Sequence, residues 1–212
     1  MKKFLLVTIF TISLFAWGGN HHNHQCKGNM ETILNNYPIQ SLSNSEKQAL
    51  NYMAEEEKLA RDVYITLYNK WGLRVFGNIQ KAEQQHINMV KMLAERYNIK
   101  MNSLSIGLFN DKKVQKLYNK LVRIGSISRI DALKVGATIE DLDIYDLEKY
   151  MAEADNQDIL FIFKNLTKGS RNHMRAFMRN IQRFGGDYNS KYISQLEFNK
   201  IINSNIEKGI IR

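Results

Sequence analysis

One stretch of the chain, Glu83-Gln-Gln-His86, places two ionisable residues where an amphipathic helix should present apolar ones. The apolar residues around it repeat at alternating spacings of three and four, namely Phe76, Ile79, Val90, Leu93 and Tyr97. Continuing this spacing through the gap gives positions 83 and 86. A carboxylate and an imidazole in such a buried seam need a partner that offsets their lost hydration, and a metal ion suits both. On one helix alone, the simpler explanation is that these two side chains are solvated or hydrogen-bonded locally. The residues of the other helices therefore decide between this explanation and a metal site.

Length and composition indicate a single all-α domain. The chain has 212 residues, of which 44% are hydrophobic and 24% charged, enough to bury one sizeable core. A single proline and 12 glycines leave little to interrupt helices. The formal charge of +9 would permit a nucleic-acid or anionic-membrane partner. However, the basic residues alternate with acids and form no arginine-rich arm or aromatic platform, so we expect no nucleic-acid partner.

The N-terminal residues have the pattern of an export signal. Lys2 and Lys3 precede an uncharged run over residues 4–17, which is too short to span a bilayer comfortably. We therefore predict a signal peptide at residues 1–18 and a periplasmic or secreted protein, with an uncleaved anchor as the alternative and as the only membrane association. Residues 19–43 are predicted to be a flexible linker that contains His21, His22, His24 and Cys26.

The remaining residues, 44–212, are predicted to form a bundle of four long helices. The first is capped by Ser43 or Ser45 and ends at Trp71-Gly72. The other predicted helices cover about 75–97, 111–124 in a long crossover, 128–153, 155–185 and, at the C terminus, 192–208. The short connection after the first helix makes the first two an antiparallel hairpin, and two hairpins joined by the crossover make the bundle.

Polar residues interrupt the apolar stripe of every long helix. Glu57 lies on the stripe of the first helix, whereas its neighbours Glu55 and Glu56 are expected to point elsewhere. The separations of 26 residues from Glu57 to Glu83 and of 33 from Glu140 to His173 bring these positions to similar heights. Together the stripes predict one buried set, which consists of Glu57, Glu83, His86, Glu140, Asp143 and His173. Iron and manganese prefer such mixed oxygen and nitrogen ligands.

The layout resembles the ferritin-like superfamily of di-iron carboxylate proteins. Residues 57–64 are similar to the Glu-x-x-Ala-Arg-x-x-Tyr stretch of rubrerythrin-type members. A more specific resemblance is to the uncharacterised ferritin-like family called domain of unknown function 2202. Its members share Met-x-Glu-Glu-Glu-Lys-Leu-Ala-Arg-Asp-Val-Tyr and Gly-Ser-Arg-Asn-His, which match residues 53–64 and 169–173. The resemblance covers about residues 45–190 and implies a ferritin-like four-helix bundle, but it implies no particular reaction.

The chain departs from a symmetric di-iron site in one place. Such a site takes a Glu from each of two helices and Glu-x-x-His from each of the other two, but this chain has Ser170-x-x-His173. Asp143 follows Glu140 by one turn and is a candidate replacement for the missing carboxylate. Either an asymmetric two-metal site that uses Asp143 or a single metal ion is consistent with this pattern. Tyr64 lies two turns from Glu57 and is either a core tyrosine or a donor to a carboxylate.

Three functions are consistent with these residues. The first is a redox enzyme of the ferroxidase, oxidase or peroxidase type, in which one or two iron ions react with dioxygen or peroxide, with manganese as the alternative metal. The second is a non-catalytic metal-binding or structural module of the cell envelope. The third is a metal-free layer in which every buried polar group is hydrogen-bonded. Assembly into a homo-oligomer is compatible with all three.

Overall fold

A computed structural model describes residues 30–102 and 104–212, and these residues contain helices and loops but no strand. The helices are α1 (Asn44–Trp71), α2 (Arg74–Arg96), α3 (Lys112–Gly125), α4 (Arg129–Glu153), α5 (Gln157–Arg183) and α6 (Gln195–Asn203). The predicted all-α bundle, with a short helix in the crossover and another near the C terminus, is confirmed. The C-terminal helix ends earlier than predicted. The predicted signal peptide and the His/Cys cluster lie outside the described residues.

The four long helices pack as two neighbouring hairpins. α1 packs along α2, and α4 packs along α5. Across the bundle α1 lies beside α4 and α2 lies beside α5, so each long helix has two long neighbours. α3 covers the outside of α1 and α4, and α6 packs on α5. One face of every long helix therefore points to a common centre.

Local capping signals explain why the long helices begin and end where the sequence predicts. Ser43 caps α1 in a capping box, in which its hydroxyl accepts from the Glu46 backbone N–H and Glu46 accepts from the Ser43 backbone N–H. Gly72 ends α1 at φ 65°, a left-handed conformation that favours glycine. Ser128 caps α4 by accepting from the Asp131 backbone N–H at 3.1 Å.

The apolar core divides into two clusters along the bundle axis. The first cluster includes Val63, Leu67, Phe76, Ile79, Leu133, Phe177 and Ile181. The second cluster includes Leu50, Met53, Val90, Leu93, Ile162, Phe163 and Leu166. On α1, α2 and α5 the polar residues predicted from the sequence separate the two clusters, and on α4 they lie between Leu133 of the first cluster and Leu147 of the second. In the described ranges no helix has an apolar stretch long enough to cross a membrane.

The described part of the predicted linker is packed against the bundle, contrary to a flexible linker over residues 19–43. Residues 30–34 are helical, and Leu34 is only 2% exposed in the second cluster. The Tyr37 ring lies 5.2 Å from that of Phe161, and Arg96 donates a hydrogen bond to the Tyr37 carbonyl. Met30, Leu34 and Tyr37 do repeat at helical spacing, but over only about two turns, which is too short for the sequence pattern alone to predict a helix.

The crossover loop covers charged residues on the outer side of α1. Lys58 and Asp62 are both buried and form an ion pair. The backbone N–H of Gly107 donates to Asp62 at 2.9 Å, and Lys58 Nζ donates to the Ser105 carbonyl at 3.0 Å. Lys58 and Asp62 therefore have partners in each other and in the loop backbone, so neither charge needs a contact with the residues at the bundle centre.

Candidate metal centre

The structure brings all six predicted site residues together between the two apolar clusters. None of them is more than 8% exposed. We call this set the polar layer, and it consists of Glu57 from α1, Glu83 and His86 from α2, Glu140 and Asp143 from α4, and His173 from α5. All four long helices therefore contribute to one buried cluster of four carboxylates and two imidazoles.

Glu83 lies at the centre of the polar layer, between the two histidines. Its Oε2 is 2.8 Å from His86 Nδ1, and its Oε1 is 2.9 Å from His173 Nδ1. The two imidazole rings stack with their centroids 5.3 Å apart. One ligand atom from each of these three residues lies within 4.8 Å of the other two, a separation that one metal ion can bridge.

The glutamates of α1 and α4 occupy equivalent places on either side. Glu57 Oε2 lies 3.1 Å from His86 Nδ1, and Glu140 Oε2 lies 3.4 Å from His173 Nδ1. Each imidazole nitrogen therefore faces two carboxylates, one from the shared Glu83 and one from the neighbouring helix. This arrangement gives the polar layer an approximate two-fold pattern.

Ser170 and Asp143 form the asymmetric part of the polar layer. Ser170 is fully buried, and its hydroxyl donates to Asp143 Oδ2 while it also lies 3.0 Å from the Leu166 carbonyl oxygen. Asp143 Oδ1 has no hydrogen-bond partner among the described residues. The serine that replaces the expected glutamate on α5 thus contacts the aspartate that the sequence suggests as its substitute.

Tyr64 donates to a carboxylate, which decides between the two interpretations of this residue. Its hydroxyl lies 2.5 Å from Glu140 Oε1, so the other oxygen of Glu140 is left to face His173. The ring is fixed between Phe76 and Phe177, with centroid separations of 5.7 Å and 5.3 Å. A rigid donor of this kind sets the orientation of the carboxylate that it contacts.

Gly169 allows α5 to approach His86 closely, a role that the sequence did not reveal. A Cβ atom at Gly169 would lie 2.3 Å from His86 Nε2, far inside van der Waals contact. The Nε2 side of the ring therefore rests on the α5 backbone, and Nδ1 points to Glu57 and Glu83. The Gly-Ser-Arg-Asn-His motif thus supplies a close approach, the Asp143 contact and His173 within five residues.

The same residues fall within a known protein family. The family model described as uncharacterized protein domain (DUF2202) matches residues 46–205. The chain belongs to the DUF2202 family. It is 54% identical over 185 residues to the uncharacterized protein MJ0754 of Methanocaldococcus jannaschii, a match that covers 86% of this chain and all of that protein. The crystal structure of the hypothetical protein MJ0754 from Methanococcus jannaschii aligns with a TM-score of 0.79 and 55% identity, over 80% of this chain and 98% of that one.

Burial and the two histidines control the ionisation of this DUF2202 site. Burial raises the pKa of Glu57 and of Glu140 to about 7, against the opposing effect of His86 and His173 respectively. Burial also tends to raise the pKa of Glu83, but His173 and His86 together outweigh it and hold that pKa well below the usual range. Glu83 is therefore the carboxylate that stays ionised most readily.

Both imidazoles have a raised pKa because each faces two carboxylates. Burial lowers the pKa of His86, but Glu57 and Glu83 raise it well above its ordinary value. In the same way Glu83 and Glu140 overcome burial and raise the pKa of His173 to about 10. Without a metal ion, the two histidines are thus protonated at neutral pH and provide the positive charge of the polar layer.

The donors of the polar layer fit a metal ion. Glu83 Oε1 and His173 Nδ1 face each other at 2.9 Å, whereas two buried oxygens of the polar layer, Glu57 Oε1 and Asp143 Oδ1, have no hydrogen-bond partner in the described structure. Such orphaned atoms cost free energy unless a cation binds them. Four carboxylates with two neutral imidazoles carry a charge of −4, which two divalent cations would balance. Oxygen and imidazole donors in this ratio suit iron or manganese.

Glu56 is buried, contrary to the expectation that it points away from the core. It is 4% exposed, and no hydrogen-bond donor of the described structure reaches its carboxylate oxygens, which contact Asp146. Burial raises its pKa well above the usual range, and Asp143 and Asp146 raise it further. The physical reason is that α1 packs against both α2 and α4, so that more than one stripe of the helix is buried. In the sequence, the only sign of this burial is the run of three consecutive glutamates at residues 55–57.

Proposed function

We propose that the polar layer is a metal centre for one or two iron ions, with manganese as the alternative, and that the protein is a redox protein that acts on dioxygen or peroxide. The observation that carries this proposal is the buried group of Glu83, His86 and His173, in which one ligand atom of each residue lies within 4.8 Å of the other two. Glu57 and Glu140 complete the set on either side. The charged, then apolar, N-terminal pattern supports export to the periplasm or the exterior.

The order of the helices supports a relationship to ferritin-like di-iron proteins. In such bundles, carboxylates and Glu-x-x-His motifs project inward from all four helices. In this chain Glu57 and Glu140 come from the first helix of each hairpin, and His86 and His173 from the second. The second Glu-x-x-His motif is incomplete, and Asp143 is the nearest carboxylate that can replace it.

The residues of the polar layer would bind the metal, orient its ligands and exclude water. Both histidines must lose a proton before Nδ1 can bind a metal ion, so binding releases protons. Tyr64 orients Glu140, and Ser170 orients Asp143. The two apolar clusters lie above and below the layer and limit the access of bulk water. When bound, iron supplies a reversible one-electron couple, and the carboxylates stabilise its ferric form.

Direct measurement of iron oxidation tests this proposal. Ferrous iron is added to the metal-free protein under anaerobic conditions, and air is then admitted while the absorption spectrum is recorded. We expect a ferric absorption band that depends on the protein and that Glu83→Ala removes. The matched control is Glu95→Ala, which changes an exposed carboxylate on the same helix. Equal behaviour of the wild type and Glu83→Ala would refute a redox role for the polar layer.

A non-catalytic metal-binding module is the second candidate, and the absence of a fourth-helix carboxylate at Ser170 favours it. A metal ion that binds only the folded state stabilises it by mass action. At about 100 times the dissociation constant this contributes about 2.7 kcal/mol, or roughly 5–11 °C in melting temperature. A large chelator effect on melting without iron oxidation would select this function over the redox one.

The third candidate, a metal-free hydrogen-bonded layer, has less support. Such a layer requires a partner for every buried polar group. Glu57 Oε1 and Asp143 Oδ1, which have no hydrogen-bond partner in the described structure, do not meet this requirement. Elemental analysis of the purified protein separates this candidate from the other two, because it alone predicts no bound metal.

A further inference from the structure

A second group of carboxylates lies beside the polar layer, between α1 and α4. Glu56 is almost completely buried there, and no hydrogen-bond donor of the described structure reaches its oxygens, whose contact is with Asp146. The charged groups that act on it are all acids, namely Asp143, Asp146 and Glu57. A buried carboxyl group that faces only other carboxyl groups needs either a proton or a cation to offset its lost hydration.

The carboxylate group is connected to the protein surface through Tyr52. Tyr52 hydrogen-bonds to Asp146, which is only partly buried and which acts electrostatically on Glu56. The ring of Tyr52 lies 6.0 Å from that of Tyr150, and both rings line a surface cavity of about 540 Å³. Asp146, Glu56 and Asp143 therefore form a series of oxygen donors that starts with the partly buried Asp146 near this cavity and ends in the polar layer.

The cavity does not repel cations as a whole. Two lysines, Lys58 and Lys100, line it together with two acids, Glu55 and Asp111. The charge of Lys58 is held by an ion pair with Asp62. The rest of the lining is mainly of amide and aromatic side chains, so the lining carries no excess of positive charge.

We propose that Glu56 and Asp146 form an access site for divalent cations, which pass from the cavity to the polar layer by way of Asp143. This inference rests on the proposed metal-binding function of the polar layer. Oxygen donors suit the task because hard divalent cations exchange water for carboxylate oxygen readily and reversibly. A partly buried Asp146 followed by a fully buried Glu56 lets a cation lose its hydration shell in steps. As the cation moves it only exchanges its oxygen ligands, so no covalent bond forms or breaks and no electron is transferred.

The experiment follows Co²⁺ entry into the metal-free protein by stopped-flow absorbance. Cobalt bound by imidazole and carboxylate ligands has visible absorption, so the amplitude reports the polar layer and the rate reports access. We expect Glu56→Gln to slow the appearance of the bands by at least roughly tenfold, the lower end of electrostatic steering effects, at unchanged final amplitude. The control is Glu148→Gln, which changes an exposed carboxylate on α4 and should leave the rate unaltered.

A second variant, Asp146→Asn, should slow entry in the same way and guards against poor folding of Glu56→Gln, which circular dichroism and melting will reveal. If both variants load at the rate of the wild type, Glu56 and Asp146 only share a proton and the access site is refuted, while the proposed function stands. If the wild type develops no cobalt bands, the polar layer binds no metal, and the proposed function and this inference are both wrong.

Discussion

The two hairpins of the bundle contribute to the polar layer in nearly the same way, with one difference. In the α1–α2 hairpin Glu57 faces His86, and in the α4–α5 hairpin Glu140 faces His173. The second helix of the first hairpin has Glu83 one turn before its histidine, whereas the second helix of the other hairpin has Ser170 in that place. As a result, the single carboxylate of Glu83 serves both histidines.

In the α4–α5 hairpin the second carboxylate lies on the first helix of the pair and not on the second. Asp143 is on α4, and the hydroxyl of Ser170 on α5 donates to it. The number of carboxylates is thus the same in both hairpins, two each, but their positions differ. The comparison teaches that the composition of a buried site can be symmetric where the sequence motifs are not, because a neighbouring helix can supply the same type of side chain.

The largest effect is expected from Glu83→Ala, which removes the residue that the two halves share. Both histidines lose a carboxylate contact, so we expect metal affinity to fall by at least roughly 100-fold, the upper end of what removing an outer-shell partner costs. Equilibrium dialysis with Mn²⁺ measures the change, and Glu95→Ala on the exposed side of α2 is the control. Unchanged affinity in Glu83→Ala would show that the halves do not share this ligand.

The second prediction tests whether Asp143 replaces the missing glutamate. Asp143→Ala should lose one metal equivalent relative to the wild type. Ser170→Glu in the same background should restore it, because the two side chains are in contact and the new carboxylate fills the vacated space. Metal content after gel filtration measures both variants. A Ser170→Glu change that unfolds the protein or leaves occupancy unaltered would mean that the two positions are not interchangeable.

The third prediction concerns the pH dependence of the metal-free protein. The folded-state pKa of Glu57 and of Glu140 is raised to about 7, so between about pH 5 and 7 the folded state holds more protons than the unfolded state. The pKa of His173 is raised to about 10, so at higher pH as well the folded state holds more protons than the unfolded state. Stability should therefore fall as the pH rises through this range, by about 1.4 kcal/mol per pH unit for each excess proton.

Thermal melting of chelator-treated protein checks the sign of this dependence. Glu57→Gln and Glu140→Gln should each reduce the slope by a similar amount if the hairpins are equivalent. The lowered pKa of Glu83 acts in the opposite direction, but only in strongly acidic solution. Stability that increases with pH in the metal-free protein would contradict the burial of these carboxyls.

The smallest effect is expected from Gly169→Ala, which tests the close contact between the hairpins. The added methyl group would overlap His86, so the ring or α5 must move, at a cost of about 1–3 kcal/mol. Gly77→Ala is the control, because the Cβ there meets only the ring of Tyr68, which is partly exposed and able to move. Urea unfolding measures both variants, and equal stability would rule out the tight contact at Gly169.

The helices and the six residues of the polar layer were predictable from the sequence because their signals are local. Capping residues such as Ser43 and Ser128 mark helix starts within one turn, and the spacing of three and four identifies the inward face. The DUF2202 resemblance rests on contiguous motifs and is confirmed by the family match. Each of these features depends on neighbours in the chain rather than on distant contacts.

The features that the sequence did not reveal depend on how the helices rotate against one another. The burial of Glu56 arises because α1 packs against α4 as well as against its hairpin partner α2, and the contact of Ser170 with Asp143 depends on how α5 is rotated against α4. The packing of Leu34 and the burial of Asp62 depend on segments outside the bundle. The spacing of apolar residues along a helix identifies one buried face, and it does not show whether a second face of the same helix is also buried.

The account depends most directly on a metal ion between the two histidines. Crystals of the protein loaded with ferrous iron, measured on both sides of the iron absorption edge, would locate it by anomalous scattering. We predict one or two anomalous peaks inside the bundle, within bonding distance of Glu83, His86 and His173. Iron found only on the surface, or no peak in the polar layer at full loading, would contradict the claim that this layer is a metal centre.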